Sequence, residues 1–247
     1  MSYFRSVTFC IIIPARYASS RFPGKPLADI GGKTMIERVW DCAASCENNS
    51  GIAVATDDLR IASVVDNFGR AVMTSEAHPS GTDRCAEAFD KAVFDADIIV
   101  NIQGDEPFIR KEQVLALVSM FEDPQVQIAT LKKEITEPSE IDNPNIVKVV
   151  CSAQGKALYF SRSRIPFQRE SDASVHYFRH IGMYAYRREV LKSITQLQPS
   201  MLEECEKLEQ LRWLENGYHI AVAKTDWQSP AVDTPEDLEA ARQFLLK

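Results

Sequence analysis

No stretch of this 247-residue sequence is long and apolar enough to span a membrane, and positive charge is in deficit, with 28 Lys and Arg against 35 Asp and Glu. The net charge of −7 argues against a broad surface for nucleic acid or anionic lipid. Cations that meet an anionic small molecule must therefore be concentrated at one place. CxxC pairs and zinc spacings are missing too. The six cysteines, at 10, 42, 46, 85, 151 and 205, read as reduced, mostly buried thiols of a cytoplasmic protein. The apolar run Phe9 to Ile13 is too short for a signal-peptide core and has no small-residue cleavage site after it. No GxGxxG occurs, and both Walker-like stretches fail. For GKP at 24–26, Ser19 stands where the first glycine belongs and Pro26 where Ser or Thr belongs; for GGKT at 31–34, Leu27 replaces the first glycine.

What is present is alternation. Apolar, strand-like runs occur at 10–13, 52–56, 71–74, 97–103, 128–131, 146–151, 178–186 and 219–223. Helical spacing appears between them. Met35, Ile36, Val39, Trp40 and Ala43 follow a Thr34–Glu37 capping signature; Val114, Leu115, Val118 and Phe121 mark a second helix. Leu208, Leu211 and Leu214 mark a third, closed by Gly217. Strand and helix alternate to about residue 130, which predicts an α/β fold with a parallel sheet wound by helices. From about 140 to 186 strands dominate, as in an insertion or dimerisation layer. The whole, 1–247, reads as one domain.

Three loops carry the chemistry. The first, IIIPARYASSRFPGKPL (11–27), ends an apolar strand at Pro14 and then supplies Arg16, Ser19, Arg21 and Lys25. Ligands of open α/β sheets sit at the carboxyl ends of the strands, and Arg forks with a Lys point charge suit a polyphosphate. As a loop in isolation it would read as a solvated basic turn. The second, NIQGDEP (101–107), delivers Gln103, Asp105 and Glu106 to the same sheet edge, where carboxylates suit a hard cation. The third, VDTPEDLE (232–239), starts a helix with Thr234 as N-cap, Pro235 at N1 and Asp237 at N3, which leaves Asp233 to point elsewhere. Asp105 and Asp233 together could hold Mg²⁺ against phosphates bound by the first loop. HPSGTDR (78–84) fits either a base pocket or a plain helix start. His176, His180 and Tyr184 would share a strand face, with a sugar contact favoured over a metal pair that lacks a third ligand. FSRSRIP (160–166) alone reads as an exposed basic turn, and KLEQLR (207–212) as an amphipathic helix.

Taken in order, IIIPARYASSRFPGKPL, VATDD, SGTDR, NIQGDEP, NPNIVKVV, ALYFSRSRIP, RHIGMYAYR, LEQLR and VDTPEDLE resemble the CMP-Kdo synthetases, the 3-deoxy-manno-octulosonate (Kdo) cytidylyltransferases, from about residue 9 to 245. The resemblance implies a Rossmann-like nucleotidyltransferase fold with a mostly parallel sheet, helices on both faces and a strand-rich dimerisation insertion. It implies a homodimer that uses CTP and Kdo to make CMP-Kdo for lipopolysaccharide. It also implies Mg²⁺, as two ions, one of them carried by the nucleotide. Carried over by position, Arg16 and Lys25 would meet the triphosphate, together with Ser19 and Arg21. Pro14, Ala15, Ser80, Gly81 and Gln103 would surround the cytidine, and Asp105 and Asp233 would be metal ligands. Arg162, His180, Tyr184, Glu209 and Gln210 would form the sugar side. Asp83 replaces a glutamate common in the pattern, and segment 168–177 is short. Alternatives are an 8-amino-Kdo or sialate synthetase, and a nucleotide-binding regulatory module without catalysis; no dedicated general base stands out.

Overall fold

In the computed structural model, the described residues are 7–18, 22–170, 175–228, 230, 232 and 234–245. The sheet strands are β1 (Phe9–Pro14), β2 (Asn49–Thr56), β3 (Ala71–Met73), β4 (Ile98–Asn101), β5 (Ile128–Glu134), β6 (Lys148–Cys151), β7 (Ala157–Ser161), β8 (Phe178–Arg187) and β9 (Ile220–Lys224). The helices are α1 (Met35–Ala44), α2 (Leu59–Val65), α3 (Gly81–Ala92), α4 (Lys111–Ser119), α5 (Pro138–Ile141), α6 (Arg188–Ile194), α7 (Met201–Glu206), α8 (Gln210–Glu215) and α9 (Pro235–Phe244). A two-residue ladder, Asp29–Ile30 with Lys33–Thr34, precedes α1.

The strands form one sheet in the order β9-β5-β8-β4-β1-β2-β3, with β6 and β7 attached beyond β8. β1 runs parallel to both β2 and β4, β2 to β3, and β9 to β5. β8 is antiparallel to β4 on one side and β5 on the other, and β6 pairs antiparallel with both β8 and β7. The fold is therefore α/β with a mostly parallel sheet, as the alternation predicts.

Both faces of that sheet are covered, which explains why β1 reads as an unbroken apolar run instead of an alternating one. Cys10 and Ile12 point into a cluster with Cys85, Ala88 and Phe89 of α3 and with Val190, Leu191 and Ile194 of α6. Ile11 and Ile13 point the other way, onto Ile36 and Val39 of α1, Ile61 of α2 and Val114 of α4. Each fully buried isoleucine contributes ~1.5–3 kcal/mol relative to exposure. All six cysteines are unpaired; Cys10, Cys46 and Cys85 are buried, Cys42 and Cys151 half-buried and Cys205 exposed. Burial pushes the Cys10 thiol up to about 12, so it stays protonated and inert.

The strand-rich stretch is built around a buried lysine. Lys148 of β6 is fully buried, and its Nζ donates to the carbonyls of Asn143 (2.9 Å), Ile146 (2.6 Å) and Arg162 (2.5 Å). Three carbonyl dipoles replace water around the ammonium and tie the 143–146 loop to the end of β7. Burial still pulls the Lys148 pKa down from its ordinary value. β7 itself does not stand out in the sequence: its burial is irregular, with Leu158 exposed and Ala157, Phe160 and Ser161 buried, and β6 is its sheet partner.

Candidate functional site

The parallel strands deliver their C-terminal loops to one edge. Ala15 N–H donates to the Ala55 carbonyl at 2.9 Å, and Ile102 N–H to the Ile12 carbonyl at 3.1 Å, so the ends of β1, β2 and β4 are level. Gly104 is required by a close approach, because a Cβ there would lie 2.9 Å from the Pro14 carbonyl. That approach draws the 103–105 loop over the end of β1. α3 begins beside it with Ser80 as N-cap, its Oγ accepting from Asp83 N–H at 3.2 Å.

Between these loops lies a cleft lined by Pro14, Ala15, Arg16, Lys25, Ser80, Gly81, Gln103 and Asp105, all named from the sequence, and also by Pro26, His78, Pro79, Arg84 and Gly104. The Lys25 ammonium lies 2.7 Å from Asp105 Oδ2. Gly81 faces the Pro14 ring and the Gln103 side-chain oxygen, so those three frame one end of the cleft. Arg84, buried, donates from Nη2 to Asp57 Oδ2 (2.8 Å) and from Nη1 to Thr74 Oγ1 (2.6 Å). Asp57 belongs to the VATDD stretch at the end of β2, so a carboxylate from one strand end fixes a cation in the cleft wall. From the sequence, His78 and Arg84 enter only as members of HPSGTDR, read as a base pocket or a plain helix start, with no individual role; a cation one turn into a helix next to the sheet edge was the available signal.

Ser19, Arg21 and Asp233 lie outside the described residues. The chain on either side of Asp233 is described. Val232 N–H donates to the Asp105 carbonyl at 3.2 Å, and Thr234 caps α9 by accepting from Asp237 N–H at 3.2 Å. Asp105 is a hard oxygen donor, partly open to solvent and already facing a cation, which fits Mg²⁺. Among the described residues no group of three or more His, Cys, Asp or Glu side chains could form a closed cage. That donor set suits an ion held by one or two carboxylates and completed by phosphate oxygens and water.

The residues expected on the sugar side divide into two groups. His180 Nε2 lies 3.0 Å from Thr130 Oγ1, and its ring is 5.3 Å from that of Tyr184, which meets Trp213 edge-on at 5.1 Å. Burial drives the His180 pKa down to about 3, so its ring is neutral. Gln210 is buried at the start of α8, and Glu209 reaches across to the cleft. Ser80 Oγ lies 2.9 Å from Glu209 Oε1, and Thr82 Oγ1 donates to Oε2 at 2.8 Å. Burial raises the Glu209 pKa, opposed by those two hydroxyls. Arg162, expected on the sugar side, is held by main-chain carbonyls. Its guanidinium donates to the carbonyls of Glu206 (2.7 Å), Pro144 (3.1 Å) and Lys207 (3.4 Å), joining β7 to the end of α7.

A family profile described as cytidylyltransferase matches residues 10–222. A 3-deoxy-manno-octulosonate cytidylyltransferase of Bacteroides thetaiotaomicron is 54% identical, over 96% of this chain and 98% of its own length. One of Parabacteroides distasonis is 52% identical over the same shares. The chain belongs to the 3-deoxy-manno-octulosonate cytidylyltransferase family. Among solved structures, that of CMP:2-keto-3-deoxy-manno-octonic acid synthetase complexed with CTP superposes with a TM-score of 0.92 and 45% identity, over 97% of this chain and 98% of that one. The 4-diphosphocytidyl-2C-methyl-D-erythritol synthase of Anaerococcus prevotii shares the fold alone, at 12% identity and a TM-score of 0.66, over 98% of this chain and all of that one. The cleft residues bring the cations Arg16, Lys25 and Arg84 together with one carboxylate, Asp105.

Proposed function

We propose that this cytidylyltransferase moves CMP from CTP to Kdo, releasing pyrophosphate, and so activates Kdo for lipopolysaccharide synthesis. The observation that carries the reading is the convergence of eight residues expected around CTP and metal on one cleft, in a chain that superposes over nearly its whole length on a relative solved with CTP. The anomeric 2-hydroxyl of Kdo attacks the α-phosphorus as the bond to the oxygen bridging to the β-phosphate breaks; the hydroxyl proton passes to solvent, and pyrophosphate leaves with that bond's electrons. Such transfer depends on positioning and charge neutralisation more than on covalent chemistry. Arg16 and Lys25 bind the β- and γ-phosphates and offset the charge that grows on pyrophosphate. Lys25 is pre-positioned by Asp105, 2.7 Å away. Pro14, Ala15, Gly81 and Gln103 hold the cytosine, and the N-terminal turn of α3 directs N–H groups towards the nucleotide.

Asp105 and Asp233 would hold Mg²⁺, with a second ion arriving on the nucleotide. Bound there, the metal supplies Lewis-acid polarisation of the α-phosphate and lowers the pKa of the attacking hydroxyl. Tyr184, Gln210 and Glu209 line the side from which the sugar acid approaches, with His180 as a neutral hydrogen-bonding ring. A homodimer formed through the strand-rich part is supported by β7, an edge strand with exposed Leu158 on it and exposed Phe167 shortly after its end.

Pyrophosphate release tests the assignment, with CTP or UTP paired in turn with Kdo, 8-amino-Kdo and sialate. CTP should exceed UTP by at least about tenfold in kcat/KM, because an unpaired polar base edge costs ~1–3 kcal/mol. Kdo should be the preferred acid. Equal use of CTP and UTP, or turnover with sialate alone, would overturn the reading.

A further inference from the structure

The β3–α3 loop forms one wall of the cleft and is held from below by a single carboxylate that the mechanism does not use. The loop's ends are pinned by Thr74, whose N–H donates to the Thr56 carbonyl at 2.8 Å and whose hydroxyl accepts from Arg84. Its middle rests on Glu87, one turn further along α3 on the same face as Arg84. Glu87 Oε2 accepts from Ser75 N–H at 2.8 Å and meets His78 Nε2 in a short contact. Its other oxygen pairs with Lys91 at 2.6 Å. Against a desolvation cost that acts the other way, Lys91, the Ser75 N–H and His78 bring the Glu87 carboxyl down to about 2. An ionised carboxylate only accepts, so the proton on Nε2 lies towards Glu87. Nδ1 is then the ring nitrogen left for a ligand, on a side chain that lines the same cleft as Arg16, Lys25 and Gln103.

We propose that His78 binds the nucleotide through Nδ1 and that Glu87 is its positioning residue, fixing the ring's tautomer and orientation. This rests on reading the cleft as the CTP site. The arrangement repeats the carboxylate–imidazole pairing by which proteins aim a histidine. A purely structural role for Glu87, as a clamp on Ser75, makes a different prediction, because a clamp acts whether or not His78 is present.

The test is calorimetric titration with CTP in magnesium chloride, beside thermal unfolding of each variant. His78→Ala, and His78→Phe as a variant that keeps ring volume, should each weaken CTP about 5–10-fold, the loss of one hydrogen bond. Glu87→Ala should weaken it by a similar factor, and the double variant His78→Ala/Glu87→Ala by no more than either alone. Glu87→Gln, whose amide oxygen still accepts from Nε2–H, should recover most of the affinity. Lys91→Ala should stay within about twofold of wild type. CTP binding within twofold of wild type in both His78 variants overturns the proposal. A Glu87→Ala loss that persists in full on the His78→Ala background overturns Glu87's part and assigns it to the loop. Wild-type protein that fails to bind CTP overturns the reading of the cleft and this proposal with it.

Discussion

Glutamate 209 should make the protein less stable at alkaline pH than the same chain with Glu209→Gln. Ser80 has one hydroxyl hydrogen and two carboxylate neighbours, Asp83 Oδ2 at 2.6 Å and Glu209 Oε1 at 2.9 Å. With both carboxylates ionised, one of these oxygen–oxygen contacts contains no hydrogen. A hydrogen bond left unmade at a half-buried charged group costs ~1–3 kcal/mol. A proton on Glu209 removes the conflict, and burial raises its pKa in that sense. Because the folded pKa lies above the unfolded one, the folded chain binds more protons in the interval between them. The stabilisation is therefore fully present below the unfolded value and is lost as pH rises through the folded one. Glutamine does not titrate: its amide N–H replaces the carboxyl proton on Ser80, and its oxygen still accepts from Thr82. At pH 8 the variant should gain about 1 kcal/mol, or ~2–4 °C in Tm for a chain of this size. Near pH 4 the two proteins should melt together. Thermal unfolding followed by circular dichroism at unit steps from pH 4 to 9 measures the difference directly. A variant less stable than wild type at pH 8, or a difference that does not change with pH, would refute the reasoning.

Asp105→Asn should lower pyrophosphate release at saturating Mg²⁺ by at least about 100-fold, since metal polarisation supplies several kcal/mol. Its far-ultraviolet circular dichroism should match wild type, and a near-normal rate would remove Asp105 from the metal site. Lys148→Met should destabilise the protein by ~2–4 kcal/mol in urea unfolding. Three carbonyls lose their donor, partly offset by relief of a buried charge. A loss below about 1 kcal/mol would mean that water replaces the ammonium.

The strands and the loops at their ends were legible because each announces itself locally. β1 is apolar at every position since both its faces are covered, and Pro14 marks where the backbone leaves the sheet. Thr34 and Thr234 cap their helices as the spacing predicts, because a cap is satisfied within four residues. β7 escaped notice because an edge strand with exposed Leu158 has no continuous apolar signature. The antiparallel entry of β8 between β4 and β5 escaped too, since a strand's own residues do not state which way its neighbours run.

Local sequence sets the inventory and its order: strand ends, three cations in the first loop, and two adjacent carboxylates, Asp105 and Glu106, after β4. Those features are local, fixed by side-chain period, by proline and glycine geometry and by capping. What only the tertiary structure decided is which of them meet. Lys25 and Asp105 are 80 residues apart, and Ser80 and Glu209 are 129 apart. No spacing rule connects them, because the sheet order brings them together. Arg162 shows the same limit from the other side. Its sequence context suits an exposed basic turn or a place on the sugar side, yet folding brings three main-chain carbonyls of distant segments within its reach. Their dipoles engage the guanidinium because a half-buried cation takes the nearest acceptors, and only the packed chain determines which those are.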